Sequence, residues 1–374
     1  MEQVQSSTCR SWEPKYKAAH GVMIDCIGRH GLWASPHRYR DQCWTRDFAY
    51  AGFDYLTSVG EYDLIKGHLT ALVDKQAGDG RTPILFLDDK WRFLARKAWS
   101  SLKHRRLSFM LRRHFEEGVE WLTPWTKDSE MLFALAAGKL YRSRQDKNAV
   151  WPFGAYVGQA LDYVEKKLLN KDGLMLGADW RDTRLDLGKV CLLSNNCLLA
   201  EAYELNGFEQ ESQELRARIT RHFWNGEYYR DYVGGQARTD RDAFDLFGNA
   251  LAILGGLGGE SLVFRAAAQL ATPYGYRLNG VTLPTKDAAE AAVMSRTDQH
   301  GVIWPFTNGY LILAMLKSGL KNVAKAEFEK WSGLDGFYEW YDPQTGRGMG
   351  SPDQMWTAAM YVRVADALAK ENLI

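Results

Sequence analysis

Residues 189–223, KVCLLSNNCLLAEAYELNGFEQESQELRARITRHF, decide the fold. Helical periodicity runs through both sides of Gly207. A glycine just past a last periodic residue, here Asn206, is a helix stop, because glycine enters the left-handed conformation without a Cβ penalty. The stretch therefore reads as two helices, 189–206 and 208–223, closed into a hairpin. Outward from it the same period predicts helices over 14–29, 46–59, 61–75, 127–141, 154–169, 242–255, 260–271, 303–317, 320–331 and 352–370, and Gly319 divides 303–317 from 320–331 as Gly207 divides its pair. Alternating strand patterns are confined to short stretches such as 228–233 and 337–341. About twelve helices on short loops imply helical hairpins arranged in a ring. No repeat of 20–50 residues is visible, which disfavours a regular solenoid. With no low-complexity linker and no break in composition, residues 1–374 read as one all-α domain.

Residues 88–118 stand apart as a basic helical insertion, with Lys90, Arg92, Arg96, Lys97, Lys103, Arg105, Arg106, Arg112 and Arg113 interleaved with Trp91, Phe93, Leu94, Trp99, Leu102, Leu107 and Phe109. The plain reading is a solvated face over a buried apolar one. The sharper reading, a surface for an anionic sugar, requires Arg92–Arg113 to face the cleft.

The 47 basic and 46 acidic residues leave a net charge of +1, which argues against a nucleic-acid or membrane-surface protein. No apolar run reaches the roughly 18–20 residues of a membrane span. The first residues, MEQVQSSTCRSWEPKYK, have no apolar signal core, and the five cysteines include no C-x-x-C pair. The expectation is a cytoplasmic protein with free thiols, acting on a small carbohydrate; a homo-oligomer is compatible with this. The 14 Trp, 18 Tyr and 16 Phe are core fillers first, but a surplus of Trp and Tyr also suits a cleft that stacks on flat sugar faces.

Four segments combine aromatics with acids and amides at helix edges. In His37–Phe48, Trp44, Arg46 and Asp47 supply a stacking plane, a fork of donors and an acceptor; the plain reading of Asp47 is a complement to a helix dipole. In Trp125–Glu130, Asp128 is an N-cap candidate. Gly177–Asp186 holds Asp179, Arg181 and Asp182 beside Trp180, either a salt-bridged turn or an acid whose pKa is raised by desolvation. Gly336–Pro343 sets Glu339 among Phe337, Tyr338, Trp340 and Tyr341, as a cleft acid or an ion-paired one. Trp304–Tyr310 opens an apolar helix that could line the same cleft. No His spacing suits a metal, no phosphate loop or G-x-S-x-G elbow is present, and no cofactor is expected.

In order along the chain these segments resemble the alkaline/neutral invertases. Tyr39, Asp41, Gln42, Arg46, Asp47 and Phe48 match that family's tyrosine, Asp-Gln and Arg-Asp-Phe pattern. Gly60-Glu61, Asp128-Ser129, Trp304-Pro305, the Glu339–Tyr341–Asp342 run and Gln354 with Trp356 follow. Trehalases, processing α-glucosidases and debranching enzymes share parts of this pattern. The family's Gly-Tyr-Pro-Glu run is absent; Gly188-Lys189-Val190 and Ser194-Asn195-Asn196 stand there instead.

The resemblance implies an (α/α)6 barrel and a hydrolase cleaving the α-glycosidic bond of a disaccharide or small glycoside, sucrose-like or an α-glucoside. It places the general acid at Asp182, with Asp179 the rival, and the general base at Glu339. Inversion would set the two carboxyl groups roughly 6.5–9.5 Å apart. Tyr39, Gln42, Trp44, Arg46, Asp47, Asp128, Asp179, Arg181, Trp304, Tyr341, Gln354 and Trp356 are the expected substrate contacts. Two other readings compete. A sugar isomerase or epimerase would need His37 or His300 in the cleft. A silent carbohydrate-binding protein would need no opposed acids.

Overall fold

The computed structural model describes residues 12–103, 123–143, 151–237, 242–280 and 301–374. Among them the helices are α1 (Glu13–Asp25), α2 (45–58), α3 (Tyr62–Val73), α4 (Lys90–Lys103), α5 (Ser129–Ser143), α6 (Gly154–Tyr163), α7 (Leu193–Leu205), α8 (Glu209–Phe223), α9 (Leu246–Leu254), α10 (Glu260–Ala268), α11 (Pro305–Lys317), α12 (Lys321–Ser332) and α13 (Met355–Lys370). The middle of α2, Phe48–Gly52, is a wide π-helical turn.

Burial alternates from helix to helix. Every residue from Leu193 to Ala200 of α7 is buried, so that helix must sit inside. Its partner α8 buries Ser212, Leu215, Ile219 and Phe223, one face at helical spacing, and turns charges to water. The same division makes α2, α5, α7, α9, α11 and α13 an inner ring. In that ring α5 packs on α7, α7 on α9, α9 on α11, α11 on α13, and α13 back on α2. The outer helices cover the seams, with α1 lying on α13. This is the (α/α)6 barrel, closed as one core around Tyr50, Phe247, Phe306, Tyr310, Trp304 and Trp356.

Most helix bounds follow the periodicity. The exceptions are 189–206, whose first residues end a 3-10 turn and form the short strand Cys191–Leu192, 242–255, which becomes helical only at Leu246, and 154–169, whose last turn, Val164–Leu168, is π-helical. The short strands β4 (Tyr232–Val233) and β7 (Trp340–Tyr341) fall within 228–233 and 337–341. β1 (Gln42–Trp44) and β2 (Leu85–Leu87) pair antiparallel, as do β3 (Cys191–Leu192) with β4, β5 (Ala271–Thr272) with β6 (Gly275–Tyr276), and β7 with β8 (Gly348–Met349). Two or three residues are too few to show alternation, so most of these strands leave no sequence signature.

A backbone belt joins the start of each inner helix to the segment leading into the next. Thr45 N–H donates to the Ile84 carbonyl, Lys127 to Ala178, Leu193 to Asp231, Leu246 to Leu278, Ile303 to Tyr341, and Met355 to Ala34. Each bond is 2.9–3.1 Å long. All six inner helices therefore begin at one rim, where their loops converge.

Of the basic segment, α4 is described and residues 104–118 lie outside the described residues. Arg92 and Arg96 bind the buried Asp41 at 2.7 and 2.8 Å, while Trp91 and Trp99 are exposed. The first guanidinium groups of the segment are thus bound to a structural carboxylate.

Gly138 lets α5 approach α7: a Cβ there would stand 2.8 Å from both Leu205 Cβ and Asn206 Nδ2. Gly138→Val should lower stability by about 1–3 kcal/mol through overpacking, measured by thermal or urea unfolding; an unchanged midpoint would contradict the close packing described.

Candidate active site

The rim gathers most of the sequence-selected residues. Arg46, in the first turn of α2, is buried and bridges two acids: Nη2 lies 3.3 Å from Asp128 Oδ1 and Nη1 3.0 Å from Asp182 Oδ2. Its guanidinium stands 5.6 Å over the Trp44 ring. Asp128 precedes α5 and is buried, so its carboxylate serves Arg46 as well as marking a helix start. Asp182 lies in the loop before α7, about one-quarter exposed, with its carbonyl held by Trp125 Nε1 at 2.8 Å.

Glu339 enters from the far end of the chain, at the start of the β7–β8 hairpin. Its Oε1 accepts from Tyr39 Oη at 3.0 Å, and its Oε2 from Ser351 N–H at 3.0 Å, with Arg38 Nη1 at 3.5 Å. Gly350, at φ +76°, runs so close that a Cβ would meet Glu339 Oε2 at 2.6 Å, which reserves the position for glycine. The hairpin is fastened to the loop before β1: Ser351 Oγ donates to Ser35 Oγ at 3.0 Å, and His37 Nε2 sits 2.9 Å from Asp353 Oδ2.

Asp47, close enough to feel the charge of both acids, is buried and accepts from Gln354 Nε2 at 3.2 Å. Burial pushes its pKa up to about 8, with Arg46 opposing and the charges of Glu339 and Asp182 adding. Burial likewise raises Asp128 to about 6 and lifts Glu339 above its usual range, the latter held back by Arg38, the Ser351 amide and Tyr39. As a group these carboxylates hold protons at pH values where exposed ones would have lost them.

The floor is aromatic. Trp180 lies 4.7 Å from Trp304 and 5.0 Å from Phe306, and Phe306 stacks on Trp356 at 4.4 Å. Trp44 Nε1, Trp180 Nε1, Trp356 Nε1, Asp128 Oδ2 and Gln354 Oε1 are buried without a hydrogen-bond partner. Other buried atoms, such as both His68 nitrogens and Trp331 Nε1, share this condition, but these five border the rim, where a hydroxylated ligand could complete them.

Several expected substrate contacts take other roles. Asp179 and Arg181 are fully buried, paired with each other at 2.9 Å, and their polar atoms are taken up by Ser194 and Asp231 as well. Arg181 holds Asp179 ionised, its pKa lowered against the pull of burial, so the rival acid is a structural carboxylate. Tyr341 is buried, and its hydroxyl donates to the Asp335 and Gly336 carbonyls at 3.0 and 2.8 Å, so it braces the hairpin. Gln42 is buried on β1, opposite Leu87. Conversely, Arg38 and Ser351 contact Glu339 without having been selected. Ser351 acts through its main chain, which no residue pattern reveals. His37 is spent on Asp353, and His300 lies outside the described residues. Among the described residues, no cluster of three or more His, Cys, Asp or Glu is arranged to hold a metal, and no helix is long and apolar enough to cross a membrane.

Residues 192–357 match the sequence model of the mannosylglycerate hydrolase MGH1-like glycoside hydrolase domain. The chain is a glycoside hydrolase of α/α-barrel fold. Solved structures share that fold at low identity. The GH63 mannosylglycerate hydrolase from Thermus thermophilus, solved with Tris and D-glycerate, superposes with a TM-score of 0.67 at 15% identity, over 93% of this chain and 99% of its own. A glycosidase solved as a point variant gives 0.66 at 12% identity, over 96% and 97%. A rhamnosidase from Klebsiella oxytoca with rhamnose bound gives 0.60 at 14% identity, over 96% of this hydrolase and 65% of its own chain. No curated protein sequence matches the chain. The domain match and the neighbours point to the wider α/α-barrel glycosidases and not to the invertases in particular.

The raised carboxyls have a linkage consequence. Asp47 near 8, Glu130 and Asp245 near 7 and Asp128 near 6 all sit above their unfolded values near 4. The native state therefore binds protons that the unfolded chain releases. Their contribution is complete below about pH 4 and is lost as pH rises through 6–8. The unfolding temperature should fall between pH 5.5 and 8, and Asp47→Asn should raise it at pH 8 and flatten the decline. A midpoint that climbs over this range, or an Asp47→Asn variant less stable at pH 8, would contradict the assignment.

Proposed function

We propose that this hydrolase cleaves small α-glycosides of glucose or mannose with inversion, Asp182 protonating the leaving oxygen and Glu339 activating the water. One observation carries the reading: two carboxylates from distant parts of the chain meet at one rim, one partly exposed and one enclosed. Asp182 is partly exposed beside Arg46, while Glu339 is clasped by Tyr39, the Ser351 amide and Arg38. Burial lifts the Glu339 carboxyl above its usual range, and these three groups favour its charged form against that pull, as a base that must be ionised when water arrives requires. The proton of the attacking water passes to Glu339 while Asp182 gives its own to the glycosidic oxygen, so the anomeric carbon exchanges one bond to oxygen for another on the opposite face.

The glycone would lie over Trp180, with Trp44, Trp180 and Trp356 donating to its hydroxyls and Asp128 and Gln354 accepting. These contacts contribute to rate to the extent that they strengthen as the ring flattens in the transition state. Relatives support the sugar class: one Thermus thermophilus hydrolase structure holds glucose, and that enzyme is a mannosylglycerate hydrolase. A sucrose-like substrate has no such support. Arg92 and Arg96, in the described part of the basic segment, are bound to Asp41 and supply no argument for an anionic sugar.

Product anomers read by NMR from methyl α-D-glucoside and methyl α-D-mannoside decide the reaction. Release of β-sugar by the wild type, lost about 10²-fold or more in both Asp182→Asn and Glu339→Gln, is the expected result; release of α-sugar, or activity retained in both variants, would defeat the assignment. Tyr39→Phe removes a donor from the base, so the acid limb of its kcat/KM profile should move to higher pH. An unmoved limb would separate Tyr39 from the base.

A further inference from the structure

Directly behind the proposed acid lies a buried charge cluster that the reaction does not touch. Arg181 stands between Trp180, which forms the floor, and Asp182, and its side chain runs the other way, into the barrel wall. All five of its N–H groups have carboxylate partners. Nε and Nη2 donate to Asp179 at 2.9 and 3.1 Å, Nη1 and Nη2 to Asp231 at 3.0 and 2.9 Å, and Nη1 to Asp245 at 3.5 Å. Every member is buried.

The three acids belong to different elements. Asp179 also accepts from Ser194 Oγ, in the first turn of α7, at 2.6 Å. Asp231 precedes β4 and gives its carbonyl to the first amide of α7. Asp245 caps α9, its Oδ2 accepting from Gly248 N–H at 2.7 Å. One guanidinium therefore ties the loop that carries Asp182 to the starts of two inner helices.

Stability alone is a poor reason for such a cluster. Buried ion clusters carry a large desolvation cost, and apolar packing of the same volume is often as stable. What a guanidinium offers is orientation, a planar fork fixed at several points at once. We propose that Arg181 is the positioning residue for the general acid: its clamp by Asp179, Asp231 and Asp245 fixes the turn of residues 179–182 and so aims the Asp182 carboxyl at the leaving oxygen. The inference rests on Asp182 being that acid.

A misaimed acid has a signature that a loosened fold lacks. An alkoxide leaving group needs the proton, whereas fluoride departs without one. In the full chain, Arg181→Lys keeps the charge and loses the fork; Asp231→Asn keeps the shape and loses one arm. Each is assayed on methyl α-D-glucoside against α-D-glucosyl fluoride, and on the mannosyl pair, beside Asp182→Asn. The expected result is a kcat loss of about 10²-fold on the methyl glycoside, as for an ångström-scale misplacement, with KM held. On the fluoride the expected loss is under about 5-fold, because no proton transfer is required. Asp182→Asn should show the same split in full.

Equal losses on both substrates, or none, overturn the positioning role. If Asp182→Asn splits the substrates and the Arg181 and Asp231 variants do not, the clamp fails while the acid stands. If Asp182→Asn shows no split, or the wild type cleaves neither pair, the acid assignment fails and takes the inference with it. Should Arg181→Lys unfold, Asp231→Asn and Ser194→Ala give the same readout with thermal midpoints as the check on folding.

Discussion

Six inner helices starting at one rim is the constraint on which the site depends. A helix start presents unsatisfied N–H groups and a positive dipole end, and therefore tolerates carboxylates that an apolar core would refuse. Asp47, Asp128 and Asp245 stand at or just inside such starts, and Gln354 marks the start of α13. The barrel gathers these groups because its hairpins return every second helix to the same end. The backbone belt then fixes the spacing of the starts without using any side chain.

Gathering acids this way works against folding. Burial lifts Asp47, Asp128 and Glu339 above their usual range, and each nearby carboxylate adds to the others. Arg46 and Arg38 offset part of this, and the partnerless tryptophan nitrogens offset none of it. A rim optimised for stability would replace Asp47 with a neutral group and complete Trp180 Nε1. That it does neither is what a site prepared for a polyhydroxylated ring looks like, since such a ring supplies the missing partners on arrival.

The ring of hairpins was legible because helical period survives in single sequences. Leu193–Leu205 and its neighbours bury whole turns, and Gly207 and Gly319 stop their helices where expected. Glu339, Arg46 and Asp128 were also legible, as acids and a guanidinium set among aromatics. Asp179 and Asp182 were not separable, because both flank the 180–181 pair and differ only in which side of the turn they occupy. Nothing local says that Asp231 and Asp245 wait behind Arg181, so its burial could not be read. Tyr341 misled for a related reason: its ring turns into the wall, where the hydroxyl braces the hairpin, and sequence spacing from Glu339 does not say so. The contribution of Ser351 is a main-chain amide, which carries no residue identity at all.

The seam of the ring has its own consequence. α1 and α13 lie side by side, with Tyr16 Oη bonded to Asp366 at 2.8 Å, and the Met355–Ala34 bond closes the belt as any other pair of neighbours does. Topologically the six hairpins form a circle, and the order in which the chain visits them is one of several equivalent cuts. Outer turns such as the one at Gly207, exposed and far from the rim, could carry the break instead. Joined across α13 and α1 and opened there, the same rim would be assembled by a chain that reaches Glu339 before Asp182.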